Sequence, residues 1–166
     1  GRAVVIAGRR QPPEVHAIVA RINQALGAVG STLDYHVDPD PDRKPHLQSI
    51  AELAKAMAAG QVQGLVILGG NPVYDAPADL DFAGALAKVK TSVHLSEYVD
   101  ETSKQTTWHV PRSHFLEAWG DTRTWDGTIT IAQPLIAPLY RTLSSAEVLS
   151  MLLGETARGE DLVKAA

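Results

Sequence analysis

The stretch Gly64-Leu-Val-Ile-Leu-Gly-Gly-Asn-Pro-Val-Tyr-Asp75 decides how we interpret the fold of this chain. Its apolar run 65–68 is bounded by turn residues, which is typical of a short strand buried on both faces. The pair Gly69-Gly70 permits backbone conformations closed to other residues, and Pro72 pushes the residue before it toward extended geometry. Since ligand crevices in open α/β sheets form at the carboxyl ends of the strands, this loop is the first candidate for a site.

Strand and helix patterns alternate on both sides of this stretch. Apolar or alternating runs predict strands at 3–7, 33–37, 65–68 and 92–95. Apolar residues at helical spacing predict helices that begin near Pro12-Pro13, at a Ser49/Glu52 capping box, and at a cap on Asp79 or Asp81. Further on, the sequence predicts a strand at 128–131 and a helix that begins with a capping box of Ser144 and Glu147.

This alternation predicts an α/β fold, a three-layer, mostly parallel open sheet flanked by helices. A length of 166 residues suits one domain over 1–166. Because Gly1-Arg2 leads almost directly into a strand pattern without an initiator Met, we expect a domain excised from a longer protein. Within it, 96–140 is predicted to be a loop-rich extension that carries Trp108, Trp119 and Trp125, either a functional segment, an interface to missing domains or a local aromatic core.

Composition excludes several function classes. The chain has no cysteine, so it offers no thiolate for zinc, iron–sulfur clusters or catalysis. A net charge of -4 without a basic tract argues against nucleic acid as a partner. No apolar run approaches the roughly 20 residues needed to span a bilayer, so we expect no direct membrane span.

The sequence motifs of nucleotide-binding proteins are absent, and one pair of arginines is the remaining candidate for binding a phosphate. Neither a Gly-x-Gly-x-x-Gly fingerprint nor a Walker loop occurs. The pair Arg9-Arg10 could bind a phosphate beside Gly69-Gly70, although solvated surface arginines explain it as well. A stand-alone mononucleotide-binding domain is therefore one alternative hypothesis.

Two further groups could hold a metal ion on composition alone. The set His109, His114 and Glu117 carries nitrogen and oxygen ligands that suit zinc, but its spacing matches no zinc pattern, so we predict local hydrogen bonds. The acidic run Asp38, Asp40 and Asp42 begins like a calcium loop but lacks the glycine that turns it, so we predict an exposed turn in the loop 38–45.

The polar run Asp100-Glu101-Thr102-Ser103 follows the fourth predicted strand, again at a carboxyl edge. Two carboxylates there could do acid–base work. Adjacent side chains point in different directions, however, and we prefer a helix start capped by Asp100.

Three motifs in order resemble the molybdopterin oxidoreductases over nearly the whole chain. They are Gly69-Gly70-Asn71-Pro72, the run Asp100-Glu101-Thr102-Ser103-Lys104-Gln105-Thr106-Thr107-Trp108-His109-Val110-Pro111, and Glu117-Ala118-Trp119-Gly120 with Asp126-Gly127. The resemblance implies a formate dehydrogenase/DMSO reductase-like α/β domain whose parent protein is an oxidoreductase. It makes Gly69, Gly70, Asn71, Asp100, Glu101 and Thr102 the candidate cofactor-binding residues, with no catalytic residue and no metal ligand in this chain.

The residue sequence of these motifs most resembles one branch of the family, the large iron–sulfur and molybdopterin-like subunit of bacterial alternative complex III. Thr107, Thr124 and Thr128 stand where the family has Asp, Asn and Arg near the pterin. The resemblance therefore implies a domain that keeps the fold without the cofactor, with iron–sulfur clusters elsewhere in the parent subunit. It also implies a periplasmic position at the inner membrane and, as partners, other domains of the parent chain and subunits of a membrane-associated complex.

Two hypotheses follow from the resemblance. The leading one is a non-catalytic scaffold and docking domain in a respiratory quinol oxidoreductase complex. The alternative is a domain of an active molybdopterin oxidoreductase that binds part of the molybdopterin guanine dinucleotide through the six candidate residues.

Overall fold

The computed structural model describes residues 2–38 and 40–166, so Gly1 and Pro39, the latter in the predicted loop 38–45, lie outside the described residues. Two units have dense internal contacts, Gly1–Pro41 and Asp42–Ala166. That the whole of 1–166 folds as one domain stays a prediction.

Among its described residues, the first unit contains one helix, α1 (Pro13–Ala25), and its start at a proline pair is as predicted. Asn23 on this helix is buried, and its side-chain amide forms two hydrogen bonds with the backbone of Val5. The N–H of Val5 donates to Asn23 Oδ1 at 2.8 Å, and Asn23 Nδ2 donates to the Val5 carbonyl oxygen at 2.8 Å. A side chain thus takes the place that a neighbouring strand would have.

The two strands predicted in this unit are wrong. Residues 3–7 and 33–37 form no ladder in the part of the chain that the structure describes, apart from an isolated bridge between Val29 and Leu33. Both segments have strand-like composition, but a strand exists only where a second backbone pairs with it. Here the side chain of Asn23 satisfies Val5 instead.

The second unit is built on a three-stranded parallel sheet in the order β1 (Gly64–Leu68), β2 (Thr91–Ser96) and β3 (Trp108–Pro111). The first two confirm the predicted strands at 65–68 and 92–95. The third was missed, because its short sequence has no alternation of its own and only the neighbouring β2 defines it.

Helices flank this sheet, so the α/β class is confirmed at that level. They are α2 (His46–Ala58), α3 (Pro72–Asp75), a 3-10 turn (Ala78–Leu80) and α4 (Phe82–Leu86). The buried core between α2 and α4 consists of Ala54, Met57, Phe82, Ala85, Leu86 and Val89, with Leu65 of β1 packed against it. This part of the core therefore packs against β1.

Two of the four predicted helix caps in this unit are confirmed. Asp81 caps α4 by accepting the N–H of Gly84 at 3.2 Å. Ser144 and Glu147 form the predicted capping box of α5 (Ser145–Leu152). The Ser49/Glu52 box is wrong, since α2 begins at His46 and the Ser49 hydroxyl instead donates to the Pro45 carbonyl at 3.3 Å.

The segment 96–140 contains more regular structure than predicted. Besides β3, it holds an antiparallel hairpin of β4 (Gly120–Arg123) and β5 (Ile129–Ala132), the second of which confirms the strand pattern at 128–131. A final helix, α6 (Gly159–Ala165), was not predicted. Trp108 and Trp125 are 64% and 63% exposed, so the tryptophans do not share one aromatic core.

Candidate functional site

The candidate residues meet at the carboxyl edge of the parallel sheet, where the sequence predicted them. Gly69 and Gly70 follow β1 directly, and the run 100–103 lies a few residues beyond β2. The glycines have φ of 77° and 72°, a left-handed conformation that side chains disfavour. The Gly69 N–H still donates to the Leu95 carbonyl oxygen at 2.8 Å, so the turn begins while the chain is still paired with β2.

Asn71 links the two loops through hydrogen bonds in two directions. Its Nδ2 donates to Glu101 Oε2 at 2.6 Å. Its Oδ1 accepts the Thr102 hydroxyl at 2.7 Å and the Thr102 N–H at 3.2 Å. Thr102 is fully buried, and its Oγ1 in turn accepts the N–H of Val73 at 3.0 Å. The polar groups of three candidate residues thus bond to one another.

We call these hydrogen bonds of Asn71 with Glu101 and Thr102 the brace. A buried polar cluster, which the sequence analysis did not predict, follows along β2 and the turn after it. His94 of β2 is fully buried, with its Nε2 3.0 Å from the Gly70 carbonyl oxygen and its Nδ1 2.9 Å from Ser103 Oγ. The same hydroxyl oxygen lies 2.9 Å from His109 Nδ1. The signal available in the sequence was a histidine at the carboxyl end of an apolar strand.

The Gly70 carbonyl oxygen fixes the position of one proton on His94. A carbonyl oxygen only accepts, so His94 Nε2 carries the proton and donates to Gly70. Ser103 Oγ lies 2.9 Å from both His94 Nδ1 and His109 Nδ1, and its hydroxyl also donates to the Tyr98 carbonyl oxygen at 3.3 Å. Every buried polar atom of the cluster has a partner, which suits a structural role.

Asp100 caps a turn at this edge and does not start a helix, contrary to the prediction. Its Oδ1 accepts the Ser103 N–H at 2.8 Å and lies 3.5 Å from His94 Nδ1. Burial opposes ionisation of this carboxyl, but the hydrogen bonds from Ser103 and the nearby His94 outweigh it and lower the pKa of Asp100. The hydrogen bond from Asn71 likewise lowers the pKa of the exposed Glu101. Both groups are therefore carboxylates at neutral pH, and neither is tuned to act as a general acid.

A second missed feature is the ion pair that lies over the glycine turn. Arg112 follows β3 and pairs through Nη2 with Glu97 Oε1 at 2.8 Å. A Cβ added to Gly69 would meet Arg112 Nη1 at 2.7 Å, so the guanidinium fills the space directly above the turn. The arginine at this edge is thus already neutralised by a carboxylate.

The cavity beside the brace has a different character. It measures about 370 Å³ and is mainly apolar. Its walls come from the start of α2, the end of β1 and the segment 69–77, with His46, Leu47, Ile50, Ile67, Pro72 and Pro77 among the lining residues. Three of the candidate residues, Gly69, Gly70 and Asn71, also line this cavity.

His114 and Glu117 of the second unit form local hydrogen bonds, as predicted. His114 Nδ1 accepts the Leu116 N–H at 3.3 Å, and Glu117 accepts the N–H groups of His114 and Leu139. Among residues 2–38 and 40–166, no group of three His, Cys, Asp or Glu side chains is arranged to hold a metal ion. In the first unit, Asp38 accepts the N–H of Asp40 at 2.9 Å, as an exposed turn would. A phosphate-binding role of the exposed pair Arg9-Arg10 stays untested.

The residues at this edge do not fit molybdopterin guanine dinucleotide. Two phosphates and a pterin need hydrogen-bond donors and cations that point outward. Here Asn71 and Thr102 bond to each other, Arg112 is paired with Glu97, and the exposed Glu101 carboxylate accepts a hydrogen bond from Asn71. Across the described residues, no buried side-chain nitrogen or oxygen lacks a partner that a cofactor could supply.

Fold and site together define an α/β protein whose sheet edge is closed by its own side chains. The chain is 33% identical over 138 residues to the molybdopterin-binding-like subunit of menaquinone reductase from Nitratidesulfovibrio vulgaris. The match covers 75% of this chain but 20% of the relative, so the chain spans about a fifth of the length of that curated relative. No model of a known protein family matches the chain.

This similarity supports the resemblance to a molybdopterin-oxidoreductase-like subunit, whereas the alternative complex III branch stays a prediction. None of the helices in the described residues is long and apolar enough to cross a membrane.

Proposed function

We propose that this chain is a non-catalytic scaffold and docking domain of a molybdopterin-oxidoreductase-like subunit in a respiratory quinone oxidoreductase complex. The observation that carries the proposal is the closed edge of the sheet. The side chains that would contact a cofactor form hydrogen bonds with one another instead. Asn71 is bonded to Glu101 and Thr102, and Arg112 is bonded to Glu97. The name of the menaquinone reductase relative supports the kind of complex.

In this proposal the edge residues brace the sheet. The Asn71 bonds join the loop after β1 to the turn after β2, and the Arg112–Glu97 pair joins the ends of β2 and β3. His94 adds a third connection through the Gly70 carbonyl and the Ser103 hydroxyl. Loops at the carboxyl ends of parallel strands are mobile unless they are tied down, so these bonds hold the surface in one shape for docking.

Two measurements test the absence of a cofactor role. The parent protein, purified gently from its host membrane, should contain iron without molybdenum, tungsten or a fluorescent oxidised pterin. Calorimetric titration of the 166-residue chain with GDP, the nucleotide half of the cofactor, should give no binding heat. Stoichiometric molybdenum with pterin, or micromolar GDP binding that Asn71→Ala abolishes, would refute the proposal.

We also propose that the parent subunit belongs to an alternative complex III-type assembly on the periplasmic side of the inner membrane, as the branch resemblance implies. Affinity purification of the tagged parent protein from mildly solubilised membranes should recover quinone-reactive membrane subunits. A membrane-impermeant amine label should modify the parent protein in intact spheroplasts. Recovery of the parent protein alone from the cytosolic fraction would contradict both expectations.

A further inference from the structure

The hairpin of β4 and β5 leaves one strand edge open. Thr124 and Thr128 form the pair next to the turn, with the Thr124 N–H donating to the Thr128 carbonyl oxygen at 2.9 Å. Residue pairs along an antiparallel ladder alternate between hydrogen-bonded and non-hydrogen-bonded pairs. Thr122 and Thr130 are therefore the next hydrogen-bonded pair. The N–H and C=O groups of Ile129 and Ile131 therefore point away from β4.

These backbone groups have no hydrogen-bond partner within residues 2–38 and 40–166. The side chains of Ile129 and Ile131 are also 62% and 64% exposed. Natural proteins protect such edges with lysine, proline or a bulge, but the run 128–132 is Thr-Ile-Thr-Ile-Ala, without charge or proline. This edge is built like a strand that pairs with another strand.

The sequence of the edge fits a second copy of itself. The triplet Ile129-Thr130-Ile131 is a palindrome about Thr130. An antiparallel pair of β5 strands centred on Thr130 sets Ile129 of one copy opposite Ile131 of the other, and both of these residues have outward backbone groups. In this register the free N–H and C=O groups of Ile129 in one copy can form hydrogen bonds with those of Ile131 in the other copy.

The charges beside the edge are self-complementary as well. Asp121 lies opposite Ile131 on the same face of the hairpin, and Arg123 lies opposite Ile129. In a sheet formed by two copies about a two-fold axis, the side chains that lie side by side across the four strands form rows. Each row would begin at Asp121, continue through Ile131 and the Ile129 of the other copy, and end at the Arg123 of the other copy. Apolar residues meet at the centre, and the rows end in opposite charges, so no like charges face each other.

We propose that β5 is a homodimerisation edge, at which two copies of this chain form a four-stranded antiparallel sheet about a two-fold axis at Thr130. A contact of this size is weak and depends on concentration. The proposal uses none of the candidate cofactor residues and holds whether or not the proposed scaffold role is right. A second copy satisfies the free backbone groups, covers the isoleucines and needs no other partner.

Disulfide trapping tests the register, because the chain has no cysteine of its own. Thr130 would face its symmetry mate as a non-hydrogen-bonded pair, with Cα atoms roughly 4.5 Å apart, which a disulfide can bridge. The matched control is Thr122, which is exposed on the same face of the hairpin but lies on β4. Its symmetry mate would be three strand spacings away, roughly 14 Å, which is too far for a disulfide.

Under mild oxidation of the full chain, Thr130→Cys should form covalent dimers about tenfold faster than Thr122→Cys. Independently, sedimentation of the cysteine-free chain should show a weight-average mass that rises with concentration. Ile131→Lys should abolish that rise, whereas Leu135→Lys, at an exposed apolar residue outside the hairpin, should not.

Equal trapping of the two cysteine variants would overturn the proposal. So would a chain that stays monomeric at millimolar concentration, since the open edge would then belong to another strand, of the parent subunit or of a different polypeptide. An equal effect of the two lysine substitutions would show non-specific apolar association and would also overturn it.

Discussion

Replacing Asn71 with alanine tests whether the candidate edge is a brace. The substitution removes one acceptor and one donor and leaves the N–H and hydroxyl of the fully buried Thr102 without their partner. A buried polar group that loses its partner costs about 1–3 kcal/mol, and two adjacent groups on one residue share part of that cost when water enters. We therefore expect Asn71→Ala to lower the free energy of unfolding of the second unit by about 2–3 kcal/mol.

Glu101→Gln is the matched control, because it removes the charge on the other side of the same amide. Glu101 is exposed, so water replaces the lost interaction and the loss of stability should be far smaller. The assay is urea denaturation followed by circular dichroism, with the midpoint and slope fitted for each variant. If Asn71→Ala costs no more than Glu101→Gln, the brace does not hold the edge and the argument for a closed site fails.

Three further changes test the core, the turn and the acid behaviour. Met57→Ala should destabilise by about 2–5 kcal/mol, because Met57 is fully buried between α2 and α4, whereas Met57→Leu should cost less than about 1.5 kcal/mol; equal losses in urea denaturation would contradict a packed core. Gly69→Ala should cost about 1–2 kcal/mol at φ 77° and displace the Arg112 guanidinium. Arg112→Ala should then cost less in that background than alone, and additive costs in a double-mutant cycle would rule out the contact. The pKa of Asp100 is lowered in the folded state, so its contribution to stability is complete above the unfolded pKa of about 3.9 and is lost as pH falls through the lower folded value. Asp100→Asn should flatten the acid side of the curve of unfolding free energy against pH, and an unchanged slope between about pH 5 and pH 2 would contradict the bond to Ser103.

Much of the second unit was predictable because its signals are local. The glycine pair after an apolar run marks the end of β1, and Ser144 with Glu147 marks the start of α5, since each pattern acts through the nearest residues. The position of the candidate residues at one edge was also predictable. Parallel strands end at a common edge, and the two polar runs follow strands with clear patterns.

The errors fall where a neighbour distant in sequence decides the outcome. The segment 3–7 has the composition of a strand, but Asn23, on a later helix, takes the backbone groups of Val5. Conversely, β3 has a weak pattern and becomes a strand only because β2 lies alongside. Pairing of backbones is a tertiary event, so composition alone predicts it poorly.

The sequence by itself determined the α/β class of the second unit, the glycine turn after β1 and the resemblance that singled out Asn71, Glu101 and Thr102. Only the tertiary structure decided what those side chains do. A cofactor site and a brace use the same polar residue types, and they differ in whether the donors and acceptors point outward or at each other. That difference is set by distances between loops about 30 residues apart, which no local pattern encodes.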